Sequence, residues 1–358
     1  MVDTPFDQEI EVAGTRPAMT RVVMASTELP RVAVVGVGIW GKNHARNHAE
    51  LGSLAAIVDK DEEAAGRIAG QHGVPARSFE DVLADPAIEG IVFALPPSQN
   101  LPLGRRAIEA GKHLFVEKPL CMDSRQGQEL IALAKAADRR LMIGHILHYH
   151  PAFVALADFV AAGKLGRILS CVSHRMDLGR IRREEDALWA LGTHDVSMIL
   201  RLMGAAPTAV AATGGWHTHP TIADTTHVTM DFAGGATAEI RVSWLHPFKE
   251  QRLVVIGEDA MAVFDDLQPW DSKLVLYRHA FGDRDGIPFA QKADAEPVAV
   301  DEGEPLKNEC RHFLASIRSG ETPLTDGDEG LRVLRVLEQA SLSLADDARA
   351  KAYARARG

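Results

Sequence analysis

The chain has 358 residues, 46% of them hydrophobic and 25% charged, with a formal net charge of −10. That length accommodates two domains, each with its own core, and the composition is that of an ordinary globular protein. The acidic balance argues against a nucleic-acid partner, and no apolar run approaches the roughly 20 residues that a bilayer span requires.

Residues 1–30 mix acids, prolines and threonines without periodicity and lack the apolar core of a secretory signal, so a flexible extension on a cytoplasmic protein is expected. From Arg31 the pattern changes. An apolar strand ending at Val35 runs into Gly36-x-Gly38-x-x-Gly41, and a helical pattern follows. A dinucleotide pyrophosphate needs this order of strand, glycine turn and helix. Gly36 permits the tight turn, Gly38 lets backbone approach phosphate, and Gly41 lets helix and strand pack closely. Free N–H groups at the helix start, in the turn that also carries Ile39 and Trp40, face the anion. The run Leu54–Val58 ends at Asp59, about 20 residues beyond the glycines, where an acid accepts hydrogen bonds from the ribose diol. Asp59 also repels a 2′-phosphate, which favours NAD over NADP, although Lys60 blunts that repulsion.

Short helices are expected over Ala64–His72 and Phe79–Ala84, then a buried strand over Gly90–Leu95, stopped by Pro96-Pro97 where a cofactor would lie. A helix over Leu101–Ala110, a strand over His113–Val116, a helix over Ser124–Ala137 and a strand over Leu141–Ile143 continue the alternation. Such alternation predicts a doubly wound parallel sheet over residues 31–150. After His150-Pro151 a helix reaches Ala162, and strand candidates follow over Arg167–Arg175, Ala209–Gly214, Thr225–Phe232, Thr237–Leu245, Arg252–Ile256, Ala260–Phe264 and Lys273–Tyr277. Their connections are too short for crossover helices, so residues 151–358 should form an α+β domain with a largely antiparallel open sheet. The polar run Phe281–Ala295 reads as a surface loop, and helices near Pro305–Arg318 and Asp328–Ala345 close the chain.

Lys118 stands at the end of a parallel strand, and Pro119 restricts it to an extended backbone, aiming one ammonium into the crevice. There it could stabilise charge as hydride leaves; an alternative is a surface pair with Glu117. His194, in Gly192-Thr-His-Asp195, is the general-base candidate. With Thr193 as N-cap it would sit in a first helical turn, whose positive end favours neutral imidazole. His145, His148 and His150 form a cluster more easily read as packing than as a metal site, and no metal is expected. The three cysteines, Cys121, Cys171 and Cys310, read as small buried apolar residues in a reducing compartment. In the loop Leu178–Glu185, Arg180, Arg182 and Arg183 either bind a diphosphate or pair in solvent with Glu184, Glu185 and Asp186.

With these residues assembled, the chain resembles the Gfo/Idh/MocA family of NAD(P)-dependent sugar oxidoreductases. The glycine motif, Glu117-Lys118-Pro119, Gly192-Thr-His194 and the run Phe313–Leu331 carry the resemblance. It implies a Rossmann domain followed by an α/β domain whose open sheet makes oligomer contacts, in a homodimer or homotetramer. It places Lys118 in the active site with His194 as acid/base. Many members carry aspartate four residues before that histidine, where this chain has Ala190. The stretch His174–Ser197 resembles the subgroup that contains UDP-N-acetylglucosamine 3-dehydrogenases, which similarly lacks that aspartate. That narrower resemblance implies a nucleotide-sugar substrate oxidised to its 3-keto form, a pathway aminotransferase as partner, and the arginine loop on the diphosphate. Arg175 and Arg182 are then substrate-contact candidates, with Tyr149 and Trp189 lining the pocket. Two rivals remain: a dehydrogenase of a free sugar or inositol, and an NAD-binding sensor that turns nothing over.

Overall fold

The structure is a computed structural model and describes residues 29–183 and 185–355; residues 1–28, most of the expected extension, lie outside the described residues, as does Glu184. The first half alternates as its hydrophobic pattern requires: β1 (Val32–Val35), α1 (Ile39–Glu50), β2 (Leu54–Val58), α2 (Glu62–His72), α3 (Phe79–Ala84), β3 (Gly90–Phe93), α4 (Asn100–Glu109), β4 (His113–Glu117), α5 (Ser124–Ala136) and β5 (Leu141–Gly144). Helix starts are set by side-chain caps. Asp61, Ser78 and Asp123 accept from the backbone N–H three residues on, satisfying donors that the helix leaves free. The strands pair in the order β2-β1-β3-β4-β5, every pair parallel. Their C-terminal ends therefore share one edge, and that edge presents Gly36, Asp59, Glu117 and His145.

The second half comprises α6 (Pro151–Ala161), β6 (Ile168–Leu178), α7 (Thr193–Met203), β7 (Ala209–Gly215), β8 (Thr225–Asp231), β9 (Thr237–Ser243), β10 (Leu245–Gly257), β11 (Met261–Asp265), β12 (Leu274–Tyr277), β13 (Ala280–Arg284), β14 (Ile287–Gln291), β15 (Ala295–Pro297), α8 (Pro305–Ser319) and α9 (Gly327–Arg355). Eight of these strands form one sheet in the order β15-β12-β11-β10-β6-β9-β8-β7. Every pair is antiparallel except β6 with β9. Along β8 burial alternates: Thr226, Val228 and Met230 point into the core while His227 and Thr229 are exposed, so one face of this sheet is covered and the other is open.

The expected loop at Phe281–Ala295 is instead a hairpin. Arg284 pairs with Ile287 across a two-residue turn, Asp285-Gly286, in which both residues have positive φ. An Asp-Gly pair is the standard hairpin signal; here the polar, exposed strands hid the alternation that should accompany it.

The two final helices do not stay with the second sheet. Phe313, Leu314 and Ile317 of α8 pack with Val32, Val34, Phe115 and Met142 on one face of the parallel sheet. Leu331 and Leu334 of α9 join Leu120, Leu130 and Ile143 on the other face, while Val336, Leu337 and Leu344 of the same helix enter the core of the second sheet. One long helix therefore ties both cores together.

Candidate active site

The nucleotide end of the crevice is built by close backbone approach. Gly36 has φ +90°, and a Cβ placed there would lie 2.5 Å from Ala94 O. A Cβ on Gly41 would lie 1.8 Å from Gly36 O, so only glycine lets α1 start this close to β1. Gly38 differs: a Cβ there would meet nothing within 4 Å, leaving open space above the backbone. Helix α1 begins beside it with no side-chain cap and no acid in its first turn. Its first N–H groups are thus available to an anion, and the helix dipole supports them. Ile39 and Trp40 are 71% and 40% exposed beside this opening, and Pro96 is exposed at the end of β3. Asp59 Oδ2 accepts from Val37 N at 2.6 Å and Oδ1 from Asp61 N at 3.0 Å, which anchors the carboxylate beside the glycine turn. An anion-binding helix start, an open Gly38 and an anchored acid fit a dinucleotide.

At the other end of the crevice, Glu117 does not pair with the Lys118 ammonium. Its Oε1 lies 2.7 Å from His44 Nε2, and Oε2 accepts from Lys118 N at 3.2 Å. The Lys118–Pro119 peptide is cis. Lys118 Nζ, half-buried, donates to Ala190 O at 2.9 Å. Burial lowers its pKa, opposed by Glu185 and reinforced by Arg182. Glu185 and Arg182 of the arginine loop thus act on the ammonium in opposite senses, the acid the more strongly. Within that loop Arg182 pairs with Glu185.

The residues before His194 differ from the expected capped start. Leu188–Gly192 form a π-helical turn that runs directly into α7, and Thr193 Oγ1 donates back to Trp189 O at 2.7 Å. Thr193 is not an N-cap, so no fresh helix end holds the imidazole neutral. Burial does so instead, aided by Lys118, Arg175, His145 and His148, and together they push the His194 pKa well below 6.5. Its Nδ1 is buried without a hydrogen-bond partner. Asp195, on a different side of α7, is fully buried and receives Arg175 Nε at 2.9 Å, Arg175 Nη2 at 3.2 Å and Ser173 Oγ at 2.7 Å.

The fold thus gathers Lys118, His194, Arg175 and Arg182 at one end of the crevice. Arg175 comes with two of its nitrogens committed to Asp195. Tyr149 and Trp189 have other partners than the expected pocket. Tyr149 is buried in the first domain, its hydroxyl 2.9 Å from Thr325 Oγ1. Trp189 Nε1 donates to Ser341 Oγ at 2.8 Å, and its ring packs against the cores of both sheets. The histidine cluster also disperses: His145 and His148 face Glu329, whereas His150 lies 3.2 Å from Asp266 and stacks on Trp270.

Two buried groups near the site were not singled out from the sequence. His44, one turn into α1, links Glu117 to Cys310, whose Sγ is 3.8 Å from His44 Nδ1. Glu329 opens α9 and reaches the crevice edge after β5. Among the described residues His44, His48 and Cys310 are the cluster with metal-ligand geometry, and all three are buried. The His44–His48 spacing on one helix face was the available signal.

Comparison with known proteins agrees with this geometry. Residues 30–145 match the oxidoreductase family with an NAD-binding Rossmann fold, and residues 153–263 match the GFO/IDH/MocA C-terminal domain. The UDP-N-acetylglucosamine 3-dehydrogenase of Acidithiobacillus ferrooxidans is 28% identical over 319 residues, covering 88% of this chain and 97% of its own. Its solved structure superposes with a TM-score of 0.79, at 27% identity over 89% of this chain and 98% of that one. The inositol 2-dehydrogenase of Rhizobium meliloti is 25% identical over 330 residues, 88% of this chain and 97% of its own. GenD2 from gentamicin A biosynthesis, solved in complex with NAD, is 26% identical with a TM-score of 0.75, covering 91% and 97% of the two chains. The chain belongs to the Gfo/Idh/MocA family and is an NAD-dependent oxidoreductase acting on a sugar or polyol hydroxyl.

Proposed function

We propose that this enzyme oxidises a secondary hydroxyl of a nucleotide sugar, namely the 3-hydroxyl of UDP-N-acetylglucosamine, to the ketone. Bound NAD supplies the hydride acceptor. The turn Gly36–Gly41 with Ile39, Trp40 and Pro96 holds the dinucleotide, Asp59 takes the ribose diol and disfavours a 2′-phosphate, and Glu117 borders the reacting end. His194 Nε2 removes the hydroxyl proton. Lys118, positioned by the Ala190 carbonyl, donates to the same oxygen and stabilises its growing negative charge. Arg182 and its neighbours in the loop meet the diphosphate, and Arg175 borders the sugar.

The observation that carries this reading is that Lys118 Nζ is fixed at 2.9 Å on the carbonyl of Ala190, in the helical turn that leads directly into His194. Arg180, Arg182 and Arg183, in the loop that precedes His194, suit a diphosphate-linked sugar better than a neutral polyol. Similarity over most of the chain to a UDP-N-acetylglucosamine 3-dehydrogenase supports it. The similar inositol 2-dehydrogenase makes a free polyol the competing substrate.

The test is NADH formation with UDP-N-acetylglucosamine, free N-acetylglucosamine and myo-inositol, with an aminotransferase present to remove the ketone. Turnover confined to the UDP sugar supports the proposal. Turnover of myo-inositol instead overturns the nucleotide-sugar assignment, and tight NAD binding without any turnover favours the sensor. The free buried cysteines suit a reducing cytoplasm. A second copy covering the open sheet face would give a homodimer or homotetramer, which light scattering measures.

A further inference from the structure

His44 and His48 stand one turn apart on α1, on the side where α8 packs. Cys310 of α8 meets them there. All three residues are buried, and their ligand atoms lie within 4.8 Å of one another. His44 Nδ1 and Cys310 Sγ are 3.8 Å apart. Tetrahedral zinc, with bonds of about 2.0–2.1 Å to nitrogen and about 2.3 Å to sulfur, holds neighbouring ligand atoms about 3.3–3.6 Å apart. Small side-chain rotations therefore suffice to close the set on one ion.

Hydrogen bonds around the cluster already choose the tautomers. Glu117 Oε1 accepts from His44 Nε2 at 2.7 Å, which leaves the lone pair at Nδ1, toward Cys310. Ser53 Oγ donates its one proton to His48 O at 3.2 Å, so it accepts from His48 Nδ1, 2.9 Å away, and the His48 lone pair is at Nε2. A histidine whose second nitrogen is held in this way is oriented as metal-ligating histidines are. Cys310 is a free thiol, and burial, then Glu309, Glu117 and Glu304, oppose its ionisation. The acids that disfavour a lone thiolate favour a cation at the same point. Glu309, the residue before Cys310, has both carboxyl oxygens buried and unpartnered. The two helices are also held in register around the cluster: Arg46 and Asn47 of α1 pair with Glu304, and Lys307 of α8 pairs with Glu50. We propose that His44, His48 and Cys310 form a binding site for one borderline-soft divalent cation, zinc foremost, which clasps the dinucleotide-binding helix α1 to α8. On binding, the thiol proton leaves to solvent and a metal–sulfur bond takes its place. The site stands whichever sugar the enzyme turns over.

The test uses the full chain, reduced, stripped with a chelator and titrated with Zn²⁺ or Co²⁺. Elemental analysis should find one zinc per chain, and zinc should raise the thermal midpoint. With Co²⁺ the near-ultraviolet charge-transfer band of a cobalt thiolate should appear, and Cys310→Ala should abolish it. Cys310→Ala and His48→Gln should each weaken zinc binding by more than the about 10–100-fold that losing a ligand's hydrogen-bond partner costs. A wild-type cobalt spectrum without the thiolate band overturns the proposal with no variant needed. Substoichiometric zinc also overturns it, and leaves the trio a hydrogen-bonded packing cluster. Wild-type zinc affinity in either folded variant does the same, because the ion then lies elsewhere on the chain.

Discussion

Lys118 illustrates how one side chain is prepared for chemistry by its backbone partner. Its ammonium is held by the Ala190 carbonyl, a group that cannot be removed by mutation at 190, so its position depends on the π-helical turn and not on that side chain. Lys118→Ala should reduce kcat by about 10²–10³, the scale of losing one donor to a developing oxyanion, with NAD affinity unchanged by fluorescence titration. For His194, burial and the neighbouring cations disfavour the imidazolium. The base is therefore already deprotonated at neutral pH, and kcat/KM should show no acidic decline between pH 8 and 6. Two other histidines make the protein acid-labile. Burial pushes His48 and His148 down to about 3 from 6.5. Below pH 6.5 the unfolded chain binds protons that the folded one refuses, so stability falls as pH drops from 6.5 towards 3. At pH 5 each should cost about 2 kcal/mol, visible as a falling denaturation midpoint in urea.

At the scale of elements, the strand–turn–helix of β1 and α1 separates folding from binding between neighbouring glycines. Gly41→Ala drives a methyl into the Gly36 carbonyl and should lower both thermal stability and NAD affinity. Gly38→Ala meets no protein atom, so its melting temperature without NAD should stay near wild type while NAD affinity drops. Calorimetry and NAD titration on the two variants distinguish these outcomes. The β6–α7 contact depends on another pairing, the buried Arg175–Asp195 bridge. Asp195→Asn leaves the guanidinium uncompensated and should cost about 3 kcal/mol in equilibrium unfolding. These elements were legible from periodicity and spacing, and helix and strand positions mostly follow the hydrophobic pattern. The turn before α7 was not: Gly192-Thr193 reads as a cap, but the helix had already begun.

Across the whole molecule, the last 50 or so residues hold the two sheets together. Phe313 of α8 is fully buried against Val32 and Phe115, strands it follows by some 200 to 280 positions. Phe313→Ala should destabilise the parallel sheet by about 3–5 kcal/mol, although the residue lies far outside it in sequence. The sequence alone determined the strand–helix alternation, the glycine turn with Asp59, the antiparallel character of the second sheet, and Lys118 and His194 as the chemical candidates. These rest on spacings of a few residues, where backbone geometry translates directly into pattern. Only the tertiary structure decided that Lys118 meets the carbonyl of Ala190, that Arg175 is shared with Asp195, that Tyr149 and Trp189 belong to packing, and that Glu329 stands behind His145. Most of those partners lie tens to nearly two hundred residues apart. Which buried polar groups meet is set by how the cores pack, and no local period encodes it.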